Sequence, residues 1–312
     1  MLLAAVAAAT LAAACGSGSD GNTITVDVGY QSKTINTVTV GTLLRDRGTF
    51  EAKLAELGKA KGVHYRVIWK DFAAGPPLTA QMLAGQVDIG SMGDAPLLVN
   101  GSKTRDHPDV KSELISVTGY NMRGSLNQVV VPVDSPAARL ADLRGQVVST
   151  SKARLLYDGG SANIPTFHAV VANQQFDEKN PDVIKAFLAA QRDTTDYLNR
   201  HPLAAAERVA EITGLSPEVV YLYNGPNGLV SFDPTIKQQE VDALAKLLPF
   251  LKSLGAADDL DHGRFVDDKY VRAVYGADYD TRRADTSPPS PLTGTDPICG
   301  GAVDNPATAS EV

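Results

Sequence analysis

The sequence is short of the residues that build metal and disulfide sites. Its 312 residues hold two cysteines, Cys15 and Cys299, and one thiol near each end makes no disulfide framework. Its five histidines, His64, His107, His168, His201 and His262, lack zinc-ligand spacing, so neither a metal nor a cofactor is expected. Basic residues are also scarce: 29 Lys and Arg face 36 Asp and Glu, a formal net charge of -7. That balance excludes a nucleic-acid footprint, and any attraction for an anion must come from local dipoles and a few side chains. No P-loop, G-x-S-x-G elbow, H-E-x-x-H or calcium loop occurs. Gly16 to Gly21, GSGSDG, spells G-x-G-x-x-G but follows no strand and opens no helix, so it reads as a flexible tether. Ser149 to Lys152 fits S-x-x-K without the S-D-N or K-T-G partners and reads as chance. No catalytic activity is expected.

What is present suits a globular chain large enough for two lobes: 43% of residues are hydrophobic and 21% charged. Ile24 to Tyr30 alternates apolar and polar residues and predicts a first strand, followed by a polar loop, Gln31 to Asn36. Val38 to Gly62 predicts helix with a break at Gly48, and His64 to Phe72 a second strand in which His64 and Trp69 are packing residues. Further strands are expected at Glu113 to Tyr120, Gln128 to Val133 and Gln146 to Thr150. This alternation of strands and helices predicts an α/β fold with a mainly parallel sheet and helices on both faces.

Gly75 to Leu98, GPPLTAQMLAGQVDIGSMGDAPLL, is the most informative stretch. It reads as a glycine-proline turn, a helix from Leu78 to Leu83, a turn at Gly85, a buried strand from Val87 to Ile89, and a second helix with Asp94, Ala95 and Pro96 in its first turn. Free N–H groups at such a helix start can receive an anion, although most helix starts bind nothing. Downstream, Thr166 to Ala172 predicts a strand with His168 packed or at an edge. Asn180, Pro181 and Asp182 predict the cap and first turn of a long helix. Helices follow at Leu203 to Thr213, Ser216 to Tyr223 and Gln238 to Leu254, the last kinked at Pro249.

Met1 to Ala14 is an apolar run too short to span a bilayer. With Ala13 and Ala14 before Cys15 and Gly16 after it, it resembles the signal peptide of a bacterial lipoprotein. The resemblance implies lipidation at Cys15 and an extracytoplasmic, membrane-anchored protein; a plain secretory signal cut near Cys15 is the alternative. No Lys or Arg opens the run, which points to an initiator upstream.

The loop FAAGPPL, the segment QMLAGQVDIG, the segment GDAPLL and the later DLRGQVV together resemble the solute-binding proteins of ABC importers for sulfonates, taurine and nitrate. That resemblance implies a periplasmic-binding-protein-like (type II) fold of two α/β lobes closing on a ligand. Carried over residue by residue, it implies ligand contacts from Gln31, Gly75, Pro76, Gly93, Asp94, Ala95 and Tyr120, with N–H groups near Ala95 on the anionic head. It also implies an ABC permease as partner, a small anionic ligand, no nucleic acid and a monomer. A desulfinase and enzymes of thiamine-precursor synthesis are similar in fold, but the former needs a cysteine in the cleft.

After Thr150 the pattern breaks. Only Ser151 to Arg154 separate the expected strand from the apolar piece Leu155 to Tyr157, too few for a parallel crossover. About ~60 residues, two βα units at ~30 or more each, are missing relative to the resemblance. The expected organisation is leader and lipobox at 1–15, tether at 16–23, first lobe at 24–133, hinge and truncated second lobe at 134–165, return segment and C-terminal helices at 166–280, and a Pro, Gly, Ser and Thr-rich disordered tail at 281–312 containing Cys299. The functional expectation is capture of a small oxyanion, taurine or another alkanesulfonate foremost, with nitrate and bicarbonate as alternatives. The contrasting expectation is a lipid-anchored scaffold or deletion product that has lost ligand binding.

Overall fold

The computed structural model describes residues 22–143, 153–226 and 228–286, with the backbone of two short strands beyond them. The leader with Cys15, residues 16–21 of the tether, the expected strand Gln146 to Thr150, the Ser149 to Lys152 match and Cys299 lie outside the described residues.

The first half alternates strand and helix as the sequence predicts. It runs β1 (Thr23–Tyr30), α1 (Thr42–Asp46), α2 (Thr49–Lys61), β2 (His64–Asp71), α3 (Gly75–Leu83), β3 (Ile89–Gly93), α4 (Asp94–Thr104), β4 (Ser112–Asn121) and β5 (Gln128–Pro132). Then come β6 (Ala153–Asp158), β7 (Thr166–Asn173), α5 (Gln174–Lys179), α6 (Pro181–Arg200), α7 (Pro202–Thr213), α8 (Pro217–Asn224) and β8 (Ser231–Phe232). The chain closes with α9 (Gln238–Ser253), α10 (His262–Phe265), α11 (Lys269–Tyr275) and α12 (Asp278–Ala284). Helix α12 carries order past Thr281, where the tail was expected to begin. Within that tail β9 (Gly294–Thr295) and β10 (Ala302–Val303) form an antiparallel pair.

Six strands form one sheet in the order β2-β1-β3-β7-β4-β8. Strands β2, β1 and β3 are parallel; β7 runs antiparallel between β3 and β4, and β8 is antiparallel to β4. Thus the sheet is mixed, with its return strand at the centre. Helix α3 lies on the face where Gly29 and Gly90 leave room for Leu78 and Met82. On the opposite face α6 is clamped to β4 by buried Gln191, which accepts from Ser116 Oγ (2.8 Å) and donates to the Val117 carbonyl (2.6 Å). Helices on both faces bury the sheet, the arrangement expected of an α/β fold. A smaller core of Val38, Leu43, Leu198, Val209, Val220 and Phe232 joins α1, the end of α6, α7, α8 and β8.

Strands β5 and β6 leave the sheet as a separate antiparallel ribbon. Among the described residues between β5 and β7 there are only two short 3-10 turns and β6. No described helix is long and apolar enough to cross a membrane.

Two caps depart from the sequence reading. Asn180 stands at the N-cap of α6 without capping it; its side-chain amide donates to the Phe176 carbonyl (3.1 Å) at the end of α5. Asn173 does cap: its Oδ1 accepts from Phe176 N–H (2.9 Å) and its amide donates to the Asp109 carbonyl (3.1 Å). Asn173→Ala should therefore cost about 1–2 kcal/mol in a urea denaturation curve; a change under about 0.3 kcal/mol would mean that neither bond contributes. Pro249 lies within α9, which continues through it to Ser253.

The start of α9 carries a buried pair of ionisable side chains. Lys237 and Glu240 are both fully buried. Lys237 N–H donates to Glu240 Oε2 (2.8 Å), and Lys237 Nζ donates to the Arg282 carbonyl (2.7 Å) and to Thr235 Oγ1 (3.3 Å). That ammonium also sits 5.3 Å from the centre of the Tyr120 ring. These bonds tie α12 to α9, and they compensate a charge that would otherwise be costly to bury.

Candidate cleft at the start of helix α4

Three elements meet at the carboxyl end of β3, the end at which α/β sheets place ligands. A Cβ on Gly93 would lie 3.3 Å from His168 Nε2, on the strand opposite. A Cβ on Gly75 would lie only 2.4 Å from Pro96 Cβ. The missing side chains thus let β7 and the starts of α3 and α4 pack together. The first turn of α3 begins at Gly75, earlier than predicted, and contains Pro76 and Pro77. Prolines suit a first turn because no intrahelical N–H is needed there, but they also remove two donors that could face an anion.

A donor at the start of α4 is likewise already engaged. Ala95 N–H donates to Asp94 Oδ1 (2.7 Å), and the Phe167 backbone N–H also donates to this carboxyl. The carboxylate of the chain therefore occupies the place where the sequence reading put the head of a ligand. Burial raises the Asp94 pKa above the ordinary carboxylate value, and the two N–H bonds oppose that rise.

A cavity of about 440 Å³ opens beside Asp94 and Ala95. One wall is Asn127, Tyr157, Gly159, Ile164 and Pro165, from the ribbon and its connections. The other is α9, which contributes Ala243, Lys246, Leu247 and Phe250. Lys246 is exposed and forms no ion pair among the described residues. Phe250 is 59% exposed, an unusual position for a phenylalanine and one that marks the rim. A wider groove of about 780 Å³ between α2 and β2 includes Asn22 and Thr23 at the opposite, amino end of β1, where this type of sheet does not hold ligands.

Of the seven residues carried over from the resemblance, Asp94 and Ala95 line the cavity. Gly75, Pro76 and Gly93 are at the helix starts around it. Gln31 is spent on the framework: its amide donates to the Ser91 carbonyl (3.0 Å) and its Oε1 accepts from Thr34 Oγ1 (3.3 Å). Tyr120 does not line the cavity; it is buried in β4 beneath Lys237. His168, read as a packing residue, has a buried Nδ1 with no partner, and burial lowers its pKa to about 4, so the ring is neutral at physiological pH. Lys246 escaped the sequence reading because charges on α9 pass for a solvated face. The signal was a second apolar stripe: Ala243, Leu247 and Phe250 recur at helical spacing beside the core stripe of Leu244, Leu248 and Leu251.

Carboxylate oxygens of Glu113, Asp177 and Asp267 lie within 4.8 Å of one another. Two cations serve them: Lys269, paired with Asp267 and 3.9 Å from Asp177, and Lys111, 3.8 Å from Glu113. Burial pushes Glu113 up to about 7 and Asp177 up to about 6. The group binds β4, α5 and α11 together.

No family model and no curated protein matches the chain. Solved structures do. One is a putative sulfonate ABC transporter's periplasmic sulfonate-binding protein from Methylobacillus flagellatus KT, with 13% identity over 86% of this chain and 98% of that one and a TM-score of 0.59. A second is the alkanesulfonate-binding protein from Xanthomonas axonopodis pv. citri bound to MOPS, with 14% identity, 78% and 98% coverage and a TM-score of 0.57. A third is a mutant of the desulfurization enzyme DszB in complex with biphenyl-2-sulfinic acid, with 13% identity, 80% and 98% coverage and a TM-score of 0.54. At such identities the likeness establishes the fold: this chain has the periplasmic-binding-protein fold. Binding proteins and an enzyme share it, so function must be argued from the site.

Proposed function

We propose that this chain is the solute-binding protein of an ABC importer, held outside the membrane by a lipid on Cys15, which captures a small organic sulfonate and presents it to a permease. The supporting observation is the cavity of about 440 Å³ at the carboxyl end of β3, bounded by the start of α4 and by the cationic Lys246, in a fold shared with sulfonate-binding proteins. Taurine and other alkanesulfonates are the leading ligands, ahead of nitrate and bicarbonate, because Leu247, Phe250 and Ile164 offer apolar surface that an inorganic ion cannot use. Among the described residues the cavity lining offers no cysteine, the nucleophile that a desulfinase reading requires, which favours a binding reading.

The test is thermal shift with calorimetry on the mature chain against alkanesulfonates, taurine, nitrate and bicarbonate. A true ligand at a hundred times its Kd should add about 2.7 kcal/mol of stability. The absence of any stabilisation would reject the transport reading. It would favour instead a lipid-anchored scaffold that has lost ligand binding, a reading motivated by the ribbon of β5 and β6 standing where the resemblance implies a full lobe.

A further inference from the structure

At the end of the sheet remote from the cavity, three acids far apart in sequence converge. Glu113 comes from β4, Asp177 from α5 and Asp267 from the turn between α10 and α11, and each brings a carboxylate oxygen within 4.8 Å of the other two. Strand register fixes the place: Glu113 pairs with Ala172 on β7, which pairs with Ile89 at the amino end of β3, whereas the cavity lies beside Asp94 at its carboxyl end. Backbone holds the third acid, because Asp267 N–H donates to the Leu114 carbonyl (2.9 Å). Two oxygens at this meeting point, Glu113 Oε2 and Asp177 Oδ2, are buried without a hydrogen-bond partner among the described residues, and the residues that carry them are 5% and 0% exposed. We infer that Glu113, Asp177 and Asp267 form a binding site for one divalent cation, with calcium the best fit.

Oxygens that share an ion at about 2.4 Å stand no more than about 4.8 Å apart, so the spacing suits calcium without rearrangement of the backbone. Magnesium, at about 2.1 Å, would need the carboxylates drawn closer, and an all-oxygen set is a poor match for zinc. Two lysines already face the acids. Lys269 is paired with Asp267 and lies 3.9 Å from Asp177, and Lys111 lies 3.8 Å from Glu113. The two longer contacts exceed hydrogen-bond distance, so neither ammonium supplies a donor to the orphaned oxygens. The other Asp177 oxygen, Oδ1, accepts from the Tyr270 hydroxyl (3.3 Å). The Lys269 side chain is 51% exposed and can turn into water, and an ion pair placed half in solvent contributes little. With Lys269 turned away, three carboxylates face Lys111 alone, and one divalent ion neutralises the remaining negative charge. The bound ion would join β4, α5 and the turn before α11.

Calcium chloride titrated into the mature chain, first stripped of metal with EDTA, tests the site by calorimetry and thermal denaturation. One calcium per chain should bind with a Kd of about 1 mM or tighter and raise the melting temperature, with magnesium at least about tenfold weaker. Glu113→Gln and Asp177→Asn should each weaken calcium binding at least about tenfold. Lys269→Gln removes the competing ammonium at a half-exposed position and should tighten calcium binding by about tenfold. The site is overturned if calcium neither binds nor raises the melting temperature of the unmodified chain and of Lys269→Gln, the result expected of carboxyls that share protons instead. Full calcium affinity in Glu113→Gln and Asp177→Asn would place the ion on exposed acids elsewhere and also overturn it, as would an unchanged affinity in Lys269→Gln. Stronger binding of magnesium would overturn the choice of calcium. None of these outcomes depends on solute binding at the opposite end of the sheet.

Discussion

Gly124→Ala should lower stability by on the order of 3 kcal/mol, roughly 6 to 10 °C in melting temperature for a chain of this size. Gly124 has φ +84°, in the left-handed region, and a Cβ there would sit 2.3 Å from the Ile164 carbonyl oxygen and 3.2 Å from that of Gly159. Gly159 is equally confined: its Cβ would lie 2.5 Å from the Gly124 oxygen and 2.8 Å from the Asn127 oxygen. Two stretches of backbone therefore touch where the chain leaves the sheet for the ribbon and where it returns, locked by Gly159 N–H donating to the Asn127 carbonyl (2.7 Å). Since Asn127, Gly159 and Ile164 also line the cavity, the substitution should weaken solute binding together with stability. Denaturation and calorimetry on the same variant check this. A loss below about 0.5 kcal/mol would show that the crossing relaxes freely.

The second large effect is a fall in stability as pH rises. Burial pushes Glu240 up to about 8, and nearby Asp233 adds to the rise, while the Lys237 N–H and charge oppose it. In the unfolded chain this carboxyl titrates near about 4.3. Between those values the folded state binds the extra proton, so stability decreases with pH. The contribution is complete below about 4 and lost once pH passes the folded value of about 8. Asp88, Asp177 and Glu113, raised by burial to about 6, 6 and 7, act in the same direction. The melting temperature should therefore be higher at pH 5 than at pH 9. The difference is worth a few kcal/mol, since each tenfold gain in proton affinity on folding contributes about 1.4 kcal/mol. Glu240→Gln keeps an acceptor for the Lys237 N–H and should flatten the upper part of the profile. A profile level from pH 5 to 9, or an unchanged slope in the variant, would contradict the assignment.

Regular elements with strong periodicity were legible in the sequence. The alternating strands Ile24 to Tyr30 and His64 to Phe72 appear almost residue for residue, and the break at Gly48 separates α1 from α2. The α/β fold and the return strand at Thr166 to Ala172 were legible for the same reason. The strand expected at Val87 to Ile89 instead runs Ile89–Gly93. Its glycines suggest a turn by propensity, whereas Gly90 is in the strand because Leu78 and Met82 fill the space of its side chain. At the site, the stretch around Asp94 was visible as a motif, but the use of its carboxylate was not, since which N–H groups a side chain satisfies depends on tertiary placement. Lys246 was out of reach for a related reason: it shares a cavity with Asp94 only through the packing of α9 beside α4, more than a hundred residues away in sequence. The buried Lys237 and Glu240 contradict composition rules outright, and only the fold supplies their partners.

The central position of β7 also governs the order in which the protein can fold. Among the described residues, strands β2, β1 and β3 on one side and β4 and β8 on the other are joined in the sheet only through Thr166–Asn173. A nascent chain that has not yet reached Thr166 holds the strands β2, β1 and β3 and the lone strand β4, with no strand to join them. Such long-range closure is slow, because the entropy of ordering the loop must be spent before the pairing rewards it. For the exported chain proposed above, this delays completion of the sheet until the first half has been threaded through a membrane. The return strand joins the two sides, and β8 is added later still.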